Sequence, residues 1–125
     1  MSLVPAFYNL FEDFMTDIGY AFPDYRGKVL KYKSALSTAR SVNGRAFIRE
    51  FVDSISPYEK YIMECDEEHF LNKDPTELGI TGETAEMCNL VKGVWKDDST
   101  TIETKAKIWK YIQDILRLGN TIVSR

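Results

Sequence analysis

Between Pro5 and Phe22 the apolar residues Phe7, Leu10, Phe11, Phe14, Ile18 and Phe22 recur at spacings of three and four, with Glu12, Asp13 and Asp17 opposite them. That period marks an amphipathic helix. Pro23 ends or kinks it, because a proline ring drives the preceding residue out of the helical region. Asp24 opens a second periodic set, Tyr25, Val29, Tyr32 and Leu36, which predicts a helix to about Arg40 that Gly27 weakens. The cluster Ser41-Val42-Asn43-Gly44 predicts a turn. Phe47, Ile48, Phe51, Val52 and Ile55 then predict a third helix from about Arg45 to Ile55.

Ser56, Pro57 and Glu59 supply a capping serine, a proline at the first helical position and a glutamate at the third, so a new helix is expected at Pro57. It carries Tyr58, Tyr61, Ile62 and Cys65 on one side and runs into acidic residues Glu64, Asp66, Glu67 and Glu68. Asn72 to Gly82 is the least regular part, with Asp74-Pro75-Thr76-Glu77 reading as a capped turn that ends at Gly79. A short helix is expected from about Glu83 to Val91. After the loop Asp97-Asp98-Ser99, Thr100 and Glu103 form a second capping box before the longest periodic segment. There Ile102, Ala106, Trp109, Ile112, Ile115, Leu116, Gly119 and Ile122 predict a helix from about Thr101 to Val123, its apolar face wide enough for burial on two sides. No strand-like alternation, internal repeat or low-complexity stretch interrupts this pattern. The expected fold is all-α, a single compact domain over residues 1–125 with five or six helices in an irregular bundle.

A chain of 125 residues is the size of one domain and buries roughly two-thirds of its unfolded surface. With 28% charged and 13% aromatic residues it is not disordered, and seven glycines and four prolines exclude a collagen-like composition. The longest uncharged stretch runs from Met1 to Phe11, short of the roughly 20 apolar residues of a spanning helix. No cationic region precedes it and residue 2 is Ser, so no signal peptide or myristoylation site is read; a soluble, intracellular protein is expected. Cys65 and Cys88 are too few for a disulfide framework and are expected as free, mostly buried thiols, a bridge between them being the alternative.

Charge changes the picture more than composition does. The net charge of -3 hides one strongly basic and one strongly acidic block. Residues 22–51 hold seven basic and two acidic residues, and residues 52–86 hold two basic and ten acidic. Opposite patches suit self-complementary or head-to-tail association, in which charge fixes register and on-rate. The alternative is a solvated surface whose blocks pair within the fold. The candidate interface residues are Tyr25, Arg26, Lys28, Lys31, Lys33, Arg40, Arg45 and Arg49, facing acidic surface on a neighbour. Phosphate binding by the same segment is disfavoured, since no nucleic-acid motif accompanies it and the pI is near 5.2.

Chemistry-bearing residues are sparse. His69 is the sole histidine, and with Cys65, Glu64 and Glu68 it is the nearest approach to a metal set. A closed zinc site needs about four ligands and usually a paired motif, which is missing, so a helix end with solvated carboxylates is the simpler reading. Asp97 with Asp98 and Glu67 with Glu68 are adjacent and diverge on a helix, which does not suit acid–base work. No phosphate loop, nucleophile elbow or metalloprotease helix occurs. An enzyme, a cofactor, a metal and a small-molecule substrate are therefore not implied. The sixteen aromatic residues exceed what a core of this size readily hides, and Tyr8, Tyr20, Tyr25, Tyr58, Trp95 and Tyr111 are candidates for a docking surface or for the core boundary.

Three segments carry a resemblance. Phe7-Tyr8-Asn9-Leu10-Phe11-Glu12-Asp13-Phe14 running to Phe22-Pro23-Asp24, Ser56-Pro57 with the acidic stretch after it, and Thr104-Lys105-Ala106-Lys107-Ile108-Trp109-Lys110-Tyr111-Ile112-Gln113 resemble small helical proteins of nucleocytoplasmic large DNA viruses. The resemblance implies a structural protein without catalytic residues, a minor capsid component in the virion, or in host cytoplasm or virus factory during assembly. Its partners would be itself or other capsid proteins. A soluble adaptor that binds a viral or host protein through a helical groove is the alternative.

Overall fold

A computed structural model of the chain describes residues 2–73, 75, 77, 79–80 and 82–124. The helices are α1 (Val4–Ala21), α2 (Arg26–Ile55), α3 (Glu59–Met63), α4 (Gly82–Lys96) and α5 (Ile102–Val123), and no strand occurs among the described residues. The fold is all-α. The expected five or six helices become four of 15 to 30 residues, with α3 a five-residue helical turn.

The reason lies at Asn43. The two helices predicted on either side of Ser41–Gly44 form one element, broken only where Asn43 takes an extended conformation (φ -160°, ψ 87°). Its side-chain oxygen accepts the N–H of Ala46 at 3.2 Å, the bond an N-cap makes. The predicted turn is thus a one-residue break, capped by its own asparagine. Tyr8 on α1 is fully buried and donates its hydroxyl to the Gly44 carbonyl at 2.7 Å, pinning α1 against that break.

Helix α1 ends where Pro23 requires, with the Phe22 N–H closing on the Ile18 carbonyl at 2.8 Å. Its buried residues Phe7, Tyr8, Phe11, Phe14, Met15 and Ile18 pack on α2 and α5, and these three helices form the core. Phe7, Phe11 and Phe51 meet edge to face at centroid separations of 5.6 to 5.9 Å, the geometry aromatic quadrupoles favour. Helix α4 leans on α2 and reaches Lys96 rather than Val91, because Val94 and Trp95 continue its buried face.

Three local expectations are corrected. Ser56 makes no capping bond; the chain passes through a 3₁₀ turn at Ser56–Tyr58. Glu59 instead accepts from Asn120 Nδ2 at 2.7 Å, tying α3 to α5. The N-cap of α5 is Thr101, whose hydroxyl accepts the Thr104 N–H at 3.1 Å, while Thr100 donates to the Val94 carbonyl. The buried face of α5 starts a turn late, because Ile102 and Ala106 are exposed and Ile108 and Trp109 open it. The turn expected at Asp74-Pro75-Thr76-Glu77 rests on Asp74 and Thr76, which lie outside the described residues.

A close helix contact is made at Gly119. A Cβ there would stand 2.7 Å from Val52 Cγ2 and 3.4 Å from Phe7 Cε2, so hydrogen is the side chain that lets α5 lie against α1 and α2. Among the described residues no helix is long and apolar enough to cross a membrane.

Candidate interaction surface

A helix turns about 100° per residue, so the basic positions of α2 do not share one side. Val29, Tyr32 and Leu36 form its buried stripe before the break. Arg26, Lys33 and Arg40 recur seven residues apart, two full turns, on the flank next to α1. Arg26 Nε donates to the Gly19 carbonyl at 3.2 Å and Arg40 donates to Asn9 Oδ1 at 3.1 Å. The Arg40 guanidinium also lies 5.8 Å from the Tyr8 ring centre. Lys28 and Lys31 fall on the other flank, where Lys31 Nζ stands 3.7 Å from Glu86 of α4. Arg45 and Arg49 follow the break, one turn apart and exposed, while Tyr25 and Lys33 are half-buried. The seven basic candidates therefore divide into two flanks and a pair, and Tyr25 lies in the turn that precedes α2.

These charges act on the tyrosines beneath them. Burial pushes the Tyr8 hydroxyl up to about 12 against the opposing pull of Arg40. Tyr32 is raised by burial and by Glu86, with Lys31 working the other way. On α5, Tyr111 donates to Asp17 and stacks on Phe14 with centroids 4.9 Å apart; burial first and Asp17 second push it up to about 12.

The acidic block presents Glu64, Glu67, Glu68, Glu77, Glu83 and Glu86 to solvent. Glu67 accepts from Trp95 Nε1 at 2.6 Å, and Trp95 sits under Lys105 Nζ at 4.9 Å and edge-on to Trp109. Among the described residues, Lys31 and Glu86 form the one ion pair between the basic and acidic blocks; Lys110 and Arg117 pair with Asp114. Lys28, Lys33, Arg45 and Arg49 have no carboxylate within 4.0 Å among those residues.

His69 does not gather ligands. Its ring stacks on Tyr61 at 5.0 Å, and Nδ1 lies 2.9 Å from Asp66 Oδ2. The His69 backbone N–H, and then its ring, hold the Asp66 carboxyl below the usual range. Among the described residues no group of three or more His, Cys, Asp or Glu is placed to hold a metal ion. Both cysteines are free, but Cys65 is exposed, which corrects the expected burial; it occupies a left-handed turn with φ 53°. Cys88 is half-buried, and burial pushes its thiol up to about 12. Of the aromatic candidates, Tyr8 and Trp95 belong to the core, Tyr25, Tyr58 and Tyr111 are half-buried, and Tyr20 is 84% exposed.

The sequence reading missed an apolar cavity, partly open to solvent and lined by residues from α1, α2, α4, α5 and the segment after α3. Most of its wall reads as ordinary helix core in the sequence, so no local signal announces it. No family model matches the chain, and neither a curated protein nor a solved structure does.

Proposed function

We propose that this chain is a non-enzymatic interaction protein that joins copies of itself, or other capsid proteins, through opposite charges. In that reading it is a minor capsid component of a virion, a role that rests on the three sequence segments named above. The observation that carries the association is the weak internal pairing of its charge blocks. Were they neutralised within the fold, several ion pairs would connect them. Among the described residues one does, at 3.7 Å between exposed side chains, a geometry worth little on its own. Lys28, Lys33, Arg45 and Arg49 remain available to acidic surface such as that around Glu64 and Glu68 on a neighbouring copy. Complementary potentials of this kind speed encounter and set register.

Light scattering coupled to size exclusion, run at about 50 and 500 mM salt, tests the reading. A discrete oligomer that loosens at high salt is expected, because exposed charge pairs are screened within a few ångströms at that ionic strength. Arg45→Glu with Arg49→Glu should dissociate it at low salt. A monomer at both salts overturns self-association and leaves the adaptor reading, in which one foreign partner supplies the acidic surface.

A further inference from the structure

The apolar cavity has a volume of about 60 Å³, counted as space open to the centres of water-sized groups. Among the described residues, Phe14, Met15, Ile55, Met87 and Ile115 contribute to its wall, and the surface turned into it is apolar. An apolar cavity of roughly 150 Å³ holds one benzene, so this space takes about two or three carbons of a chain. Water gains nothing there, because a buried water needs two to four polar partners. The lining residues also include the buried Thr84 and two cationic residues, the exposed Lys73 and the half-buried Lys92. Lysine stems cover apolar surface while their ammonium groups reach for water, in keeping with the apolar surface turned into the cavity. Among the described residues neither ammonium has a carboxylate within ion-pair distance.

We propose that this cavity binds the hydrocarbon tail of a medium-chain carboxylate, with the head group held at the mouth by Lys73 and Lys92. The apolar wall fixes the tail as the buried part. Two cations at its edge, with no carboxylate partner among the described residues, select an anionic head over a neutral or cationic one. The volume limits the fully buried part of the tail to about two or three carbons, and the remainder of a longer chain would lie in the open mouth of the cavity. This site lies apart from the charged flanks of α2 and stands independently of the assembly reading.

Cys88 also lines the cavity and serves as the reporter. In a Cys65→Ser background of the full chain, sodium octanoate below its micelle concentration should bind saturably and slow the modification of Cys88 by a small thiol reagent. Calorimetric titration then gives the affinity. Octylammonium and octanol should bind at least several-fold more weakly, and Lys73→Gln and Lys92→Gln should each weaken octanoate about two- to fivefold, as expected for exposed charge pairs. Both lysine variants alter surface positions, so an unchanged thermal midpoint separates lost binding from lost fold. Absence of saturable octanoate binding overturns the site. Equal affinity for octylammonium or octanol, or lysine variants that bind octanoate like the parent, overturns the anionic head group.

Discussion

Gly119→Ala sets a general helix rule against one local contact. In an open helix this change stabilises by about 1 kcal/mol, because glycine loses more backbone entropy than alanine. Here the new methyl would stand 2.7 Å from Val52 Cγ2, far inside ordinary carbon–carbon contact. Val52 has little room to retreat: it is 5% exposed, and a β-branched residue in a helix has essentially one χ1 rotamer. Overpacking of this kind costs about 1–3 kcal/mol, so after the propensity gain a net loss of about 1–2 kcal/mol is expected. Urea unfolding followed by the fluorescence of Trp95 and Trp109 gives the number, as a lower midpoint at unchanged slope. The Val52→Ala exchange completes a double-mutant cycle. Its cost in the Gly119→Ala background should fall short of its cost alone by about 1 kcal/mol, because it also removes the clash. A stabilised Gly119→Ala, or additive costs, would refute the close approach of α5 to α2.

Three further outcomes are expected. Trp109 is 7% exposed and meets Trp95 edge-on, so Trp109→Ala should cost about 3–5 kcal/mol in the same assay; a loss below about 1 kcal/mol would move the indole to the surface. The Tyr8 hydroxyl is pushed up to about 12 in the fold against about 10 in an unfolded chain, so its contribution is complete below pH about 10 and is lost as pH rises through about 12. Thermal midpoints measured across that window should fall less steeply for Tyr8→Phe, and parallel curves would contradict the linkage. Cys65 holds a left-handed φ of 53°, so Cys65→Gly should raise stability by about 0.5–1 kcal/mol; a lower midpoint would assign more to its side chain than the turn suggests.

The fold was legible wherever a buried stripe has a helical period, and less so where a helix begins or breaks. Phe7 to Ile18 and Trp109 to Ile122 announce α1 and α5 because every third or fourth residue is apolar and the faces between are charged. The start of α5 slipped by one residue because Thr100 and Thr101 are both competent caps, and only the hydroxyl of Thr100 turning back to the Val94 carbonyl separates them. Glu59 illustrates the same limit. Its spacing from Ser56 fits a capping box, yet Asn120, 61 residues away, claims the carboxylate. Local pattern names the residues able to make a bond, and tertiary neighbours decide which bond forms.

The candidate surface was legible in composition but not in arrangement. Seven basic residues within residues 22–51 read as one patch along the chain, whereas helical rotation sends Arg26 and Arg40 toward α1 and Lys31 toward α4. That division alters what the proposed interface must be. A flat acidic surface laid along α2 would meet only one flank, while the exposed Arg45–Arg49 pair beyond the break can be engaged from another direction. Charge reversal at Arg45 and Arg49 should therefore disrupt association more than reversal at Arg26 and Arg40, whose guanidinium groups already serve the α1–α2 contact through Gly19 and Asn9. If the Arg26 and Arg40 reversals disrupt the oligomer more strongly while the monomer keeps its thermal midpoint, the α1-side flank is the contact and the assignment made from available charge is wrong.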